Sequence, residues 1–346
     1  MKRLLLLLLL LAVTACGTTP TTAPSITYKP NVDLKLPLPD GTLADVADPH
    51  VIKVDSTWYL YGTHSMVSLE AWSSTDLDAW TYEGVIWQPT KGSWNDQGSI
   101  WAPHVQRAPD AYYLYYVGNG RTGVAKSTSP TGPFKDVYDH PFVGAGYGGI
   151  GDGVYLSPHY DVNDAANFLT DFQEYAIDPY VHQSADGSLT LYVAVLNPLS
   201  VIAALPMKDY VTLADVPTRV VLDADPDGDW ESVNREGAAV IEKDGVIHLI
   251  YSGNLWWTQD YALGAASAPS PTGPFTRQVH NPFLSRASAE KLWGPGHCSV
   301  APGARDDLLV FYHAKVEPTQ YSARRARYAP IAVNGAGEVT VTGLGG

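Results

Sequence analysis

The chain repeats one short pattern five times, and this repetition constrains its fold more than any single motif does. Each repeat opens with a short stretch and leads, thirteen to fifteen residues later, to a tyrosine that closes an aromatic or apolar run. We call the opening residue of each stretch the slot. The slots are Asp48, Ala102, Asp178, Glu236 and His297, and the closing tyrosines are Tyr61, Tyr116, Tyr192, Tyr251 and Tyr312. Repeats of about this size are typical of propellers and other arrays, which bring residues distant in sequence together around one axis.

The interior of each repeat is predicted to be a β-hairpin. Aromatic and β-branched runs such as Tyr112–Tyr116 and Ile247–Tyr251 follow Asp and Asp-Gly turn signals. The turn sequence Pro-Thr-Gly-Pro-Phe occurs twice, at residues 130–134 and 271–275, where an outer strand is expected to end. Long amphipathic helical patterns are absent from the sequence. Short, evenly spaced strands with many turns favour an all-β, five-bladed β-propeller over residues 39–346, with a β-sandwich as the alternative.

The N-terminus is typical of an exported bacterial protein. Lys2 and Arg3 precede ten apolar residues, which are too few for a normal spanning helix but fit a signal peptide at residues 1–15. The four residues that end at Cys16 resemble a bacterial lipoprotein cleavage box, which implies that Cys16 is lipidated; an ordinary signal peptide is the alternative. The Thr- and Pro-rich residues that follow predict a tether over 16–38. We therefore expect a protein anchored by lipid at the bacterial cell envelope.

The chain is acidic, with 36 aspartates and glutamates, 22 lysines and arginines, and a net charge of −14. This charge argues against nucleic acid binding and against adhesion to anionic lipid, so a membrane would be reached only through the lipid anchor. Once Cys16 is lipidated, Cys298 is the only other cysteine, and no intramolecular disulfide can form. The sequence carries no signal for an oligomeric state.

The slot residues are suited to acid–base chemistry. In a propeller the innermost strands line a central channel, so Asp48, Asp178, Glu236 and His297 are expected to meet in one pocket at its mouth. Two carboxyls across a glycosidic bond can hydrolyse it, one as general acid and the other as general base or nucleophile. A third carboxylate raises its neighbour's proton affinity, because like charges resist joint ionisation. A single aspartate at a strand start more often has a structural role, but three carboxyls in one register favour a hydrolytic site.

These residues lie in motifs that resemble glycoside hydrolase family 43, in its clan of arabinanases, arabinofuranosidases and xylosidases. The resemblance covers roughly residues 44–331 and rests on five motifs in order: Ala47–Val51, Ser99–His104, Ala176–Pro179, Arg235–Gly237 and Gly294–Val300. It implies a five-bladed propeller and an inverting enzyme in which Asp48 is the general base and Glu236 the general acid. It also implies that Asp178 tunes and orients the acid. An inverting pair is expected about 6.5–9.5 Å apart, which leaves room for water.

Three further residues are candidates for binding. Trp101, beside the uncharged second slot, is predicted to be an aromatic platform for the sugar, with a core tryptophan as the alternative. By the resemblance, His297 would bind or orient a cation through water, so Ca²⁺ is a candidate ligand although no cofactor is required. The alternative is a hydrogen-bonding histidine with no metal. Arg324 is matched to an arginine that reaches the substrate, although Arg325 and Arg327 crowd the same segment.

The predicted activity is that of an exo-acting α-L-arabinofuranosidase on pentose-containing oligo- or polysaccharides. The segment Tyr251–Trp257, His297 and the second Thr-Gly-Pro-Phe sequence favour it. β-Xylosidase and endo-α-1,5-arabinanase are the close alternatives, and a non-catalytic carbohydrate-binding propeller at the cell surface is the alternative from another class. Exo action needs a pocket, and a long insertion at residues 144–174 is expected to help close it.

Overall fold

The computed structural model describes residues 26–96, 98–144, 147–148, 176–197, 199–215, 219–222, 230–232, 234–305 and 307–344. These ranges form strands and turns and contain no helix, and hence none that is long and apolar enough to cross a membrane. The signal peptide and Cys16 lie outside the described residues, as does most of the insertion at 144–174. What the sequence predicts there stays a prediction.

The strands form five antiparallel sheets, which are the blades of a propeller. Blade 1 consists of β1 (Ala47–Val54), β2 (Thr57–Thr63), β3 (Leu69–Ser74) and β4 (Thr81–Trp87). Blade 2 consists of β5 (Ile100–Arg107), β6 (Tyr112–Gly118), β7 (Arg121–Ser127) and the short strands β8 (Lys135–Asp136), β9 (Val143–Gly144) and β10 (Tyr147–Gly148).

The other three blades are built in the same way. Blade 3 consists of β11 (Ala176–Gln183), β12 (Leu189–Asn197), β13 (Leu199–Asp209), β14 (Thr212–Leu213) and β15 (Arg219–Leu222). Blade 4 consists of β16 (Arg235–Lys243), β17 (Val246–Gly253), β18 (Ala262–Ala268) and β19 (Thr276–Arg277). Blade 5 consists of β20 (Trp293–Pro302), β21 (Leu308–Lys315), β22 (Arg324–Val333) and β23 (Val339–Val341).

The blades close into a ring around a central channel. The inner strands β1, β5, β11, β16 and β20 pack on one another in that order, and β20 packs back on β1. In each blade the inner strand pairs with the second strand, which contains the closing tyrosine. The predicted all-β, five-bladed propeller is confirmed.

The core lies between the blades as five large apolar clusters, one at each interface, and a smaller sixth cluster lies between blades 2 and 3. All five closing tyrosines are buried in these clusters. The hydroxyls of Tyr61 and Tyr192 donate to the carbonyls of Pro130 and Pro271 on the next blade, at 2.8 and 2.6 Å. These prolines are the first residues of the two Pro-Thr-Gly-Pro-Phe turns. Each turn therefore accepts a hydrogen bond from the closing tyrosine of the preceding blade.

Residues 26–38 belong to the propeller domain. The backbone N–H groups of Asn31 and Leu34 each donate at 2.9 Å to carbonyls on β22. Leu36 is buried in the apolar cluster between blades 5 and 1. The predicted tether, which extended to residue 38, is therefore wrong for these residues, because they close the seam between the first and last blades.

Candidate active site

Each inner strand carries a β-bulge at one mouth of the channel. In four blades the bulge contains the slot residue in a left-handed conformation, with φ of 49° at Asp48, 46° at Ala102, 55° at Asp178 and 43° at His297. Such a conformation is disfavoured for residues with a Cβ, and bulges are common beside active sites. The bulges place three of these side chains, all but that of Ala102, in one pocket.

In blade 4 the slot lies one residue after the position that the sequence predicted. Its bulge begins after Glu236, and the residue with positive φ is Gly237, at 60°. Gly237 is therefore the fourth slot, and Glu236 occupies the position that Trp101 and Ile177 hold in blades 2 and 3. The predicted assignment of Glu236 to the slot is wrong by one residue. A Cβ on Gly237 would lie only 3.1 Å from Cα of His297, so the approach of blade 5 favours glycine there.

The described residues form a pocket of about 350 Å³ at this mouth of the channel. Its polar lining consists of Asp48, Thr63, Asp178, Glu236, Tyr261, His297 and Arg324. Its apolar lining consists of Met66, Trp101, Ile177 and Trp256. The structure thus brings together every residue of the propeller that the sequence predicted for the site.

Asp48 is buried, and polar groups from two blades hold its carboxylate. Thr63 donates to Oδ2 at 2.7 Å, and Arg324 donates to Oδ1 at 3.1 Å. Nδ1 of His313 accepts the backbone N–H of Asp48 at 3.1 Å and lies 3.3 Å from Oδ1. Thr63 in turn accepts the N–H of Ala102 at 2.9 Å, which ties the Asp48 carboxylate to blade 2.

The electrostatic environment keeps Asp48 ionised. Burial raises the pKa of its carboxyl, but the charge of Arg324, followed by contributions from His297 and His313, outweighs burial and holds the pKa well below its ordinary value. Burial lowers the pKa of both histidines, that of His313 to about 3. Both rings are therefore largely neutral at neutral pH, and Arg324 is the dominant stabilising charge. An ionised carboxylate is what a general base requires.

Glu236 and Asp178 experience the opposite effect. Burial raises the pKa of both carboxyls. The negative charges of Glu236 and Asp48 raise the pKa of Asp178 further, and the charge of Asp48 raises the pKa of Glu236 further. Tyr261 donates to Oε1 of Glu236 at 2.8 Å, and the N–H of Gly237 donates to Asp178, but these bonds do not cancel the shifts. Because like charges resist joint ionisation, the pair retains a proton above the usual pKa of a carboxyl. A general acid needs this state.

His297 lies between two of the carboxylates. Its Nδ1 is 3.5 Å from Oδ1 of Asp48 and 3.7 Å from Oδ2 of Asp178, and its backbone N–H donates to Ser252 at 2.7 Å. Calcium takes six to eight oxygen ligands. Among the described residues, no three His, Cys, Asp or Glu side chains are grouped as metal ligands. The residues do not fit a calcium ion held directly by side chains, and the predicted ion would depend on water at His297.

The structure distinguishes the three clustered arginines. Arg324 lines the pocket, whereas Arg325 and Arg327 form ion pairs with aspartates outside it. The guanidinium of Arg324 also lies 4.5 Å over the ring of Trp256. Trp101 lines the pocket and is partly buried against its neighbours, so it is placed where an aromatic platform would have to be.

Polar residues that follow the closing tyrosines were missed on the sequence. Thr63, Ser252 and His313 lie one or two residues after a closing tyrosine, and each accepts the slot N–H of the next blade, at 2.9, 2.7 and 3.1 Å. This recurrence was the signal that could have found them. Tyr261 was also missed; its ring stacks on that of His313, with centroids 5.7 Å apart, while its hydroxyl contacts Glu236. Tyr261 thus connects Glu236 with His313, which lies beside Asp48.

Replacing Arg324 by methionine is expected to move the acidic limb of the pH profile of kcat/KM to higher pH. If Asp48 is the general base, it must be ionised, so activity is lost as the pH falls through its pKa. Arg324 holds that pKa low, and its removal lets Asp48 take up a proton at a higher pH. Arg325→Met removes the same charge from a neighbour outside the pocket and should leave the limb in place. An unmoved limb in the Arg324 variant would contradict the electrostatic role.

The chain is similar to known glycoside hydrolases along most of its length. The sequence profile of Glycosyl hydrolases family 43 matches residues 42–335. A β-D-galactofuranosidase of Aspergillus niger is 26% identical over 313 residues, which cover 85% of this chain and 81% of that protein. The crystal structure of a thermostable family-43 glycoside hydrolase has a TM-score of 0.73 at 26% identity, covering 92% of this chain and 96% of that one. An endo-1,4-β-xylanase from Bacteroides thetaiotaomicron has the same TM-score and identity, covering 87% and 95%.

A five-bladed propeller with three buried carboxyls in one axial pocket has the groups that hydrolysis of a glycosidic bond requires. Together with these similarities, it defines a glycoside hydrolase. The profile covers most of the chain, and the protein belongs to glycosyl hydrolases family 43. The predicted family and enzyme class are confirmed, whereas the roles of individual residues and the identity of the sugar stay predictions.

Proposed function

We propose that this family 43 enzyme is an inverting, exo-acting α-L-arabinofuranosidase. The observation that supports exo action is the pocket: at about 350 Å³ it is near the small end of ligand sites, which span roughly 300–1,000 Å³. A pocket of this size favours removal of a terminal sugar over binding of a polymer along an open groove. The similarity to a β-D-galactofuranosidase supports a furanose ring at the reacting position.

The proposed reaction gives the three carboxyls separate roles. Glu236 donates its proton to the glycosidic oxygen as the bond from that oxygen to the anomeric carbon breaks. Asp48 accepts a proton from a water molecule whose oxygen attacks the anomeric carbon from the other face, so the configuration inverts. Asp178 shares the retained proton with Glu236, because joint ionisation of the two carboxyls is unfavourable, and the charge of Asp48 further opposes ionisation of Glu236. Proton exchange with solvent then restores an ionised Asp48 and a protonated Glu236.

Two related activities remain candidates. A β-xylosidase would use the same carboxyls, and the similarity to an endo-1,4-β-xylanase favours a xylose-based substrate. An endo-α-1,5-arabinanase would need the site to be open at both ends. A non-catalytic carbohydrate-binding propeller is disfavoured, because the acid, the base and the third carboxyl are all retained in one pocket.

The experiment that tests this proposal is a screen of the purified enzyme with nitrophenyl arabinofuranoside, nitrophenyl galactofuranoside, nitrophenyl xyloside and linear arabinan. We expect the fastest release from the arabinofuranoside, and NMR should show that the first anomer formed is inverted. Parallel assays in EDTA should retain full activity, since we propose that no cofactor is required; a loss restored by Ca²⁺ would support the ion at His297. Fastest cleavage of internal arabinan bonds, or a retained anomer, would contradict the proposal.

We also propose that the enzyme is exported to the bacterial cell envelope and anchored by lipid on Cys16. The N-terminal sequence supports this proposal. In bacterial cells, Cys16→Ala should move the enzyme from the membrane fraction to the soluble fraction. Cys298→Ala, which changes the buried cysteine of the propeller, is the matched control and should stay with the membrane. Membrane association that survives Cys16→Ala would refute the lipid anchor.

A further inference from the structure

Three aromatic side chains lie together at the rim of the pocket. Trp256 and Trp257 come from the connection between β17 and β18, and Tyr321 comes from the connection between β21 and β22. The ring of Trp256 is edge-to-face with the other two rings, at centroid distances of 5.6 and 5.8 Å. The rings of Trp257 and Tyr321 are nearly parallel, with centroids 6.1 Å apart. We call these three residues the aromatic rim; it is continuous with the site, because Trp256 also lines the pocket.

Polar contacts of the backbone hold the aromatic rim in place. The N–H of Tyr321 donates to the carbonyl of Trp257 at 3.3 Å, and the buried ammonium group of Lys315 donates to the same carbonyl at 3.0 Å. Tyr321 has a φ of 55°, in the left-handed region that a bulky residue disfavours. Its side chain is nevertheless 67% exposed, so packing in a core does not account for the conformation. Strained backbone residues cluster at active sites and ligand clamps, so an exposed aromatic ring held in this way beside the pocket favours a ligand contact.

Two residues of the aromatic rim, Trp256 and Trp257, lie on blade 4, which carries the proposed general acid, and Tyr321 lies beside them on blade 5. Trp256 follows β17, and Ser252 of β17 pairs directly with Glu236 on β16. In an exo-acting enzyme the terminal sugar fills the pocket, so the leaving group that Glu236 protonates lies toward the mouth of the pocket, where the aromatic rim is found. One face of a sugar ring presents C–H groups that pack well on an aromatic ring, while its hydroxyls stay in contact with water.

We propose that the aromatic rim is a binding subsite for the sugar residue on the leaving-group side of the scissile bond. This inference rests on the proposed function, because it takes Glu236 as the general acid. The subsite would make the enzyme select oligosaccharides over glycosides that have no second sugar. Its binding energy would act in the transition state, since contacts with remote parts of a substrate contribute to kcat/KM.

The test compares Tyr321→Ala with wild type on two substrates. One is the pentose trisaccharide that wild type cleaves fastest, and the other is the corresponding pentosyl fluoride, which has no leaving-group sugar. We expect Tyr321→Ala to lower kcat/KM for the trisaccharide by about 5- to 10-fold, the value of one aromatic contact. Tyr321→Ala should cleave the pentosyl fluoride at the wild-type rate. Tyr321→Phe keeps the ring and should restore trisaccharide cleavage, and Tyr59→Ala, on β2 away from the pocket, is the control.

Each outcome has one meaning. A selective loss on the trisaccharide, restored by phenylalanine, supports the subsite. If wild type cleaves the trisaccharide and Tyr321→Ala cleaves it equally well, the subsite is wrong. An equal loss on both substrates also overturns it, because the damage would then lie in the pocket itself. A wild-type enzyme that cleaves no pentose oligosaccharide overturns the proposed function, and the subsite falls with it.

Discussion

Replacing Glu236 by glutamine is expected to lower the turnover of natural oligosaccharides at least about 10²-fold, the usual loss when a general acid is removed. Glutamine keeps the size of the side chain, and its carbonyl oxygen can still accept the hydrogen bond from Tyr261. It cannot donate a proton to the leaving oxygen. A sugar alkoxide leaves poorly without that proton, whereas fluoride leaves readily. The loss measured on a pentosyl fluoride should therefore be much smaller than the loss on an oligosaccharide.

Glu242→Gln is the matched control for this experiment. Glu242 lies on the same strand, β16, but contacts His182 and the N–H of Ala185 outside the pocket. Its substitution should leave turnover of both substrates near that of wild type. If Glu236→Gln cleaved oligosaccharides at the wild-type rate, Glu236 would not be the acid. Asp178 would then be the candidate, because its pKa is also raised in the same pocket.

The architecture was predictable because the repeat in the sequence is a consequence of packing. A buried tyrosine recurs at the same place in every blade, and these tyrosines pack in the apolar clusters between blades. The fourth slot was not predictable to the residue, because the spacing of the repeat varies by many residues and does not reveal a shift of one position in a bulged strand. Gly237 is identified by the bulge and its positive φ, and its close approach to His297 of the next blade explains the glycine.

Contacts made by residues outside the repeated positions were not predictable. Tyr261 and Trp256 occupy no repeated position, and they reach the site only because the ring brings their connections over the pocket. The role of residues 26–38 has a similar origin. Strand β23 pairs only with Ile331–Val333 of β22, which leaves earlier carbonyls of β22 for the N-terminal segment. A Pro-rich segment gives no local signal of such a partner.

Replacing Asp48 by asparagine is expected to lower turnover by at least about 10²-fold on every substrate, whatever its leaving group. Water must be deprotonated as it attacks in each case, and an amide cannot accept that proton. Asparagine keeps the shape of the side chain, and its carbonyl oxygen can still accept a bond from Thr63 or Arg324. The fold should therefore be retained, as thermal unfolding and the far-ultraviolet circular dichroism spectrum would show. Asp55→Asn, in the exposed turn of the same hairpin, is the control and should be fully active.

The two substitutions are diagnostic when they are measured on the same pair of substrates. A lost acid spares the fluoride, whereas a lost base does not, so the ratio of the two losses identifies the role of each carboxyl. If Asp48→Asn cleaved the pentosyl fluoride as fast as wild type while remaining folded, the base would lie elsewhere. The ionised carboxylate of Asp48 would then serve only to hold Arg324 in the pocket. Equal losses on both substrates in the Asp48 variant, together with unequal losses in the Glu236 variant, are the result that the geometry predicts.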